Sequence, residues 1–397
     1  MNTAMTTQTT QATKTNGTNG ASAPAIPVTT VAQLAHQLGA AFPERGDVVR
    51  ALLTAAVAGE HTVMLGPPGT AKSLLARTIS SAFGASYFEV LMTRFTTPEE
   101  VFGPVKLSGL QQDRFTRATA GYFPSAEVTF LDEIFKANSA ILNALLTALN
   151  ERVFHDDAKP MAIPLVSCIA ASNELPEGPE LDALYDRFLV RVVTDYIADR
   201  DAFKGLLADV ANGARKTIAA CVDIRAEQVA ASAVVLSEET LTALVDLRYA
   251  CRASGLVVSD RRWVQCISLI RAAAHLDGRT VTDPEDLEVL ENVLWRKPDE
   301  RVAVSRVIQA TINPAGARAV EDLDAARDLL AKLPLPGSLD AGAYMGIIGG
   351  ATRDISEILK RVSALPAGRK VNAVKIEVAA IKGDIAKRAM RAAGIDL

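Results

Sequence analysis

The run Gly66-Pro67-Pro68-Gly69-Thr70-Ala71-Lys72-Ser73 combines turn-forming glycines with a lysine and a hydroxyl at fixed offsets. A chain turning around glycines points successive backbone N–H groups inward, where they bind phosphate oxygens. A helix opening at the same place adds unpaired donors and the positive end of its dipole. Lys72 would then lie against the β- and γ-phosphates of a nucleotide, and the Ser73 hydroxyl would reach Mg²⁺, with Leu74 closing the binding stretch. The strict pattern places glycine before the lysine. Ala71 is acceptable there if that position has already entered the helix with negative φ.

Two further segments have the chemistry to complete such a site. Val128-Thr129-Phe130-Leu131-Asp132-Glu133 is an apolar strand that delivers two carboxylates at its end. Burying neighbouring acids without a partner is costly, so the pair points to a metal and a proton-transfer role. Asp132 would position Mg²⁺ through its water shell, and Glu133 is spaced to orient or deprotonate an attacking water. Asn173 follows the apolar run Pro164 to Ala171 and either holds the lytic water or caps a turn.

The surrounding pattern supplies elements to position these groups. His61 to Leu65, Tyr87 to Leu91, Glu127 to Leu131 and Pro164 to Ala171 read as strands; Val31 to Leu38, Asp47 to Ala58, Ser73 to Ser81 and Ser139 to Leu149 read as helices. In a parallel sheet, the carboxyl ends of such strands face one crevice. Thr93 to Pro124 reads as an insertion. From Ala198 onward the pattern is helical: 201–210, 226–236, 238–254, 261–276 and 284–294, the last with Asp283 as cap before Pro284. Further helices are expected at 320–330, 355–362 and 371–392, with a loop containing Leu333-Pro334-Leu335-Pro336-Gly337. Lys387, Arg388 and Arg391 at the end of the last helix suit either the helix dipole or a partner.

Composition sets the outer bounds. In 397 residues, 22% are charged and the formal net charge is −4, which gives no global signature of a nucleic-acid-coating protein. Cys168, Cys221, Cys251 and Cys266 form no CxxC pair and read as reduced thiols of a cytoplasmic protein. Residues 1–27, dominated by Thr, Ala, Asn and Gly, read as a disordered tail without a signal-peptide core. Apolar runs are too short to span a bilayer.

With these segments in hand, the sequence resembles the AAA+ superfamily, and within it the MoxR-type ATPases, most nearly the RavA-like subgroup. The resemblance rests on GPPGTAKS from Gly66, FGPVKLSGL from Phe102 and GYFPSAEVTFLDEIFKANSAILNALLTALNERVF from Gly121. ASNELPE from Ala171, LDALYDRFLVR from Leu181 and VVSDRRW from Val257 complete it, over roughly Val28 to Trp295. In that subgroup the alanine before the lysine is ordinary.

The resemblance implies a P-loop α/β core, a parallel sheet flanked by helices, followed by an all-α lid and an additional C-terminal helical region. The expected domains are a core over 28–197, a lid over 198–297 and a helical domain over 298–397. Lys72 and Ser73 match the Walker A residues, Asp132 and Glu133 the Walker B pair, and Asn173 the sensor 1 residue. Arg187 lies in the arginine-finger region, with Arg191 as the alternative; Arg261 matches the sensor 2 arginine, with Arg262 as the alternative. The insertion would present loops to a ring pore or a client, with Phe102, Leu107 and Leu110 as contacts, or fold as an internal hairpin.

The implied activity is ATP hydrolysis with Mg²⁺ by a ring, by family habit a hexamer. Such a ring acts with a von Willebrand factor A domain protein to remodel or mature a protein client. The rivals are a DNA-dependent motor, disfavoured by the near-neutral charge and the missing basic-aromatic stripe, and a nucleotide-gated scaffold that hydrolyses ATP slowly.

Overall fold

A computed structural model describes residues 30–157, 159–212, 222–334, 341–366 and 368–392. The expected tail, Cys221 and Leu335 to Gly337 lie outside the described residues. Two helices open the fold, α1 (Val31–Ala41) and α2 (Gly46–Ala58). Thr30 caps α1 by accepting from Gln33 N, and Gly59 ends α2 in a left-handed conformation.

The core continues through β1 (Thr62–Leu65), α3 (Lys72–Ala82), β2 (Tyr87–Leu91), α4 (Pro98–Phe102), α5 (Leu107–Leu110), β3 (Val128–Asp132) and α6 (Ser139–Glu151). It ends with β4 (Val153–Asp156), β5 (Lys159–Ala162), β6 (Ser167–Ser172), α7 (Pro179–Tyr185) and β7 (Val190–Val193). Five strands form one parallel sheet in the order β2-β3-β6-β1-β7. Strands β1 and β6 are buried along their whole length and β3 up to Asp132, which is why they read as unbroken apolar runs. Since β3, β6 and β1 are neighbours, with Leu65 level with Ser172 and Leu131 level with Ala170, their carboxyl ends open side by side.

Strand β7 lies outside the expected strands. Arg191 interrupts its apolar pattern, and only pairing with β1 makes it a strand. The antiparallel β4–β5 hairpin is likewise additional to the expected elements. Its residues Asp156 and Asp157 accept from Arg117 N (2.9 Å) and Phe115 N (3.0 Å), fastening the hairpin to the insertion. Phe102 corrects an expectation: it is 2% exposed, stacked on Phe154 at 5.2 Å and edge-on to Phe123 at 6.0 Å. It is a core residue that holds the insertion down. Leu107 and Leu110 do remain exposed.

Helices follow: α8 (Arg200–Ala211), α9 (Ile224–Ser232), α10 (Glu238–Ala253), α11 (Asp260–Leu276) and, after a 3-10 segment at Pro284–Asn292, α12 (Arg301–Ile312). That 3-10 segment replaces the expected α-helix but keeps its Asp283 cap. Helices α9 and α11 pack on α2, so the helices after β7 share one apolar core with the sheet, reaching Val304 and Ile308 of α12. A second core joins α13 (Pro314–Ala331), α14 (Ala341–Ala364) and α15 (Arg369–Ala392). Helix α14 starts well before the expected Ile355. Tyr344, Ile348, Ala351 and Ile355 form a buried stripe, and that packing outweighs the cost of Gly349 and Gly350 within the helix. Among the described residues no helix is long and apolar enough to cross a membrane.

Candidate nucleotide-binding site

The phosphate loop leaves β1 at Gly66, whose φ is 152° and whose N–H donates to Ser172 O at 3.0 Å. A Cβ there would stand 2.0 Å from Thr194 O, so this position accepts only glycine. Thr70 Oγ1 donates to Pro67 O (3.0 Å) and lies 3.2 Å from Thr194 Oγ1, pinning the loop to the end of β7. Ala71 is the second correction. It adopts φ 64°, ψ 23°, left-handed rather than helical, as the residue capping α3. The chain must still be curling inward where Lys72 starts the helix, and alanine tolerates that at roughly 1–2 kcal/mol of strain.

Lys72 Nζ donates to Gly66 O (2.7 Å) and Pro67 O (2.9 Å), across the mouth of its own loop. Burial lowers its proton affinity, while the charges of Asp132 and Glu133 oppose that effect. Ser73 is half-buried on the first turn of α3 and Leu74 is exposed on the same turn. Asp132 closes β3. Burial raises its carboxyl, reinforced by the charges of Glu133 and Glu89; a hydrogen bond from Glu133 N (3.1 Å) and the Lys72 ammonium pull the other way. Glu133 then turns the chain with φ 53°, ψ 42°. Strain of this kind, on the order of 1–3 kcal/mol, concentrates at functional positions. Asn173 is exposed just beyond β6, at the apex of a turn in which the Ser172 hydroxyl accepts from Glu174 N (3.1 Å).

The structure therefore brings Lys72, Asp132 and Glu133 within electrostatic reach of one another, with Asn173 on the adjacent strand end. On one side of the loop opens a cavity of about 1000 Å³ lined by Gly69, Thr70, Ala71 and Leu74 with Phe42 and Phe203. Its apolar wall suits a flat base, and the loop suits phosphates. The oxygen donors of Ser73 and Asp132 suit Mg²⁺.

The arginines separate into two kinds. Arg191 is 2% exposed, donates to Trp295 O and lies over the Tyr185 ring at 4.0 Å. Arg262 is 4% exposed and donates to Val293 O (2.9 Å), Phe188 O (3.0 Å), Leu189 O and Asp186 Oδ1 (3.1 Å). Both are interior pins that tie the sheet to the helices after it. Arg261, one step along α11, is exposed and donates to Asn150 Oδ1. Arg187 follows α7, with a buried Nε that has no hydrogen-bond partner among the described residues. Burial lowers its proton affinity, as does the charge of Arg261, while Asp186 opposes them. Neither Arg187 nor Arg261 lines the cavity beside the phosphate loop of its own chain. Thr194, Asn150 and Lys136 escaped the sequence reading. Only Lys136, three residues after Glu133, carries a local signal; the other two acquire meaning through partners far along the chain.

Comparison with known proteins agrees with this geometry. Residues 29–233 match the family described as the MoxR domain in the MoxR-vWA-beta-propeller ternary systems, and residues 239–308 match an AAA lid domain. Two uncharacterized proteins of Methanocaldococcus jannaschii are each 40% identical, one over 75% of this chain and 78% of its own length, the other over 69% and 73%. A structural protein of Acidianus two-tailed virus is 33% identical over 40% of this chain and 27% of its own. In fold, the chain resembles the crystal structure of a Cytophaga hutchinsonii protein assigned as a candidate ATPase, with a TM-score of 0.58 at 16% identity, over 71% of this chain and 93% of that one. The strand order, the phosphate loop beside paired acids and the extent of these matches place the chain in the MoxR family of AAA+ ATPases, an architecture that implies ATP hydrolysis.

Proposed function

We propose that this chain hydrolyses ATP as a ring of identical subunits, in the manner of RavA-like MoxR proteins, and uses the cycle to remodel or mature a protein complex in the cytoplasm. The observation that carries the ring is the Arg187–Arg261 pair. The Arg261 guanidinium sits close enough to Arg187 to lower its proton affinity, both lie away from the cavity beside their own phosphate loop, and Asp186 is engaged by Arg262. Such a pair is suited to an anion supplied by a second copy. The reading divides the chain into a core over 28–197, a lid over 198–297 and a helical domain over 298–397.

In the assembled site the Lys72 ammonium leaves its loop carbonyls to face the β- and γ-phosphates. Ser73 and Asp132 would hold Mg²⁺, which would neutralise phosphate charge. Asn173 orients a water, and Glu133 takes its proton as the water oxygen bonds to the γ-phosphorus and the bond to the β-phosphate breaks, releasing ADP and phosphate. Arg187 and Arg261 of the neighbouring copy stabilise the developing charge. A von Willebrand factor A domain partner is supported by the family description. Exposed Leu107 and Leu110 on the insertion are the candidate client contacts. A hexamer is the expected ring.

Mixed rings test the proposal. K72A subunits retain Arg187 but bind ATP poorly; R187A subunits bind ATP but have turnover lowered on the order of a thousandfold. Mixing the two should restore part of the activity, because an R187A subunit beside a K72A subunit completes one site. Mixed assemblies verified by mass with no recovery at any ratio, or R187A with wild-type turnover, would sink the trans role.

A further inference from the structure

Glu133 leaves β3 through its left-handed turn into the 3-10 segment Ile134–Lys136, which brings the Lys136 side chain back beside the acid. Lys136 Nζ stands 3.3 Å from Glu133 Oε2 as an ion pair, and that oxygen is shielded from solvent and forms no hydrogen bond among the described residues. The Lys72 ammonium, another cation nearby, is occupied by the carbonyls of Gly66 and Pro67. The backbone that carries Lys136 is held on both sides. Ile134 is fully buried, and Phe135 meets the Tyr185 ring edge-on at 5.8 Å. Asn138 caps α6 by accepting from Ile141 N (3.1 Å) and donates to Thr96 O (2.8 Å). Lys136 and Glu133 share the wall of a cleft of about 450 Å³ with Arg94, Ser172 and Glu174.

An exposed i,i+3 ion pair is ordinarily worth little, because both side chains must be ordered to form it. Here one partner is the candidate base and the turn between them is already rigid. We propose that Lys136 is the positioning residue of the hydrolytic carboxylate: its ammonium holds one oxygen of Glu133 and leaves the other to accept the proton from water. This rests on the reading of Glu133 as the base.

The test compares K136M, K136R, E133Q and the double variant E133Q/K136M as full-length chains, with MgATP as the only ligand. K136M should keep its ATP affinity and KM within about twofold and lose about ten- to a hundredfold in kcat, the scale of a small misplacement of a reacting group. K136R should restore most of that loss. The double variant should be no slower than E133Q, since residues acting as one unit are non-additive. K136M with wild-type kcat beside an inactive E133Q overturns the proposal. So does a K136M defect seen in ATP affinity, a K136R as slow as K136M, or a double variant slowed multiplicatively. Normal turnover in E133Q is a different result: it removes the base itself and, with it, the ground for a positioning residue.

Discussion

Replacing Glu60 with Gln probes the seam between sheet domain and lid. Glu60 lies between α2 and β1, 3.3 Å from both Ser268 Oγ and Gln265 Nε2 of α11, the helix whose first turn carries Arg261. Burial pushes its carboxyl from an ordinary 4.5 up to about 7, against the Ser268 hydrogen bond and the charges of Arg152, Arg262 and Arg261. The folded chain therefore binds the proton more tightly than the unfolded chain does. Above pH 7 the folded seam carries an ionised carboxylate at a cost of about 3 kcal/mol, from 1.36 kcal/mol per tenfold change in proton affinity. As pH falls through 7 toward 4.5 this cost is progressively relieved, so this group makes the protein more stable at lower pH. Between pH 8 and 5.5 the relief comes to about 2 kcal/mol. E60Q keeps the shape without the charge, so it should be more stable than wild type at pH 8, with the advantage shrinking by about 2 kcal/mol at pH 5.5. Urea unfolding followed by tryptophan fluorescence suits the question, because Trp263 and Trp295, the two tryptophans, are both buried at the lid. Comparing the two chains at one protein concentration cancels the titration of every other group. Parallel pH profiles, differing by less than about 0.5 kcal/mol over that range, would refute the argument.

Two other substitutions test the structure directly. Ala71→Gly should relieve the left-handed strain before Lys72 and raise stability by about 1 kcal/mol with ATP binding retained; a loss of stability in denaturant titration would contradict the observed φ. Arg262→Met should destabilise by about 3–5 kcal/mol, because it strands buried carbonyls and Asp186, whereas Arg261→Met should stay within about 0.5 kcal/mol in the same experiment while lowering turnover. Equal destabilisation by the two would contradict the assignment of one as pin and the other as exposed.

The parts of the site legible in the sequence are those whose geometry is local. Gly66 to Ser73 is a turn entering a helix, Asp132-Glu133 ends a strand buried on both faces, and Asn173 follows another; each is specified by neighbours within a few residues. The lid helices were legible through periodicity, and Asp283 before Pro284 marked a helical start even though the segment it caps is a 3-10 helix. Other features depend on contacts distant in sequence. β7 exists through its pairing with β1, and Arg191, which breaks its pattern, is accepted because Trp295 and Tyr185 receive it. Phe102 looks like an exposed loop residue until Phe154, from a hairpin some fifty positions on, covers it. Ala71 adopts a backbone conformation that no property of alanine favours, imposed by a loop tied to Thr194. Arg261 and Arg262 are adjacent and alike in the chain, yet a single step around α11 turns one toward solvent and the other into the core–lid seam. Local pattern specifies elements because their periodicity lies within one turn or strand. Which side of an element meets the rest of the molecule is decided by packing across the whole fold, and only there do two neighbouring arginines acquire different chemistry.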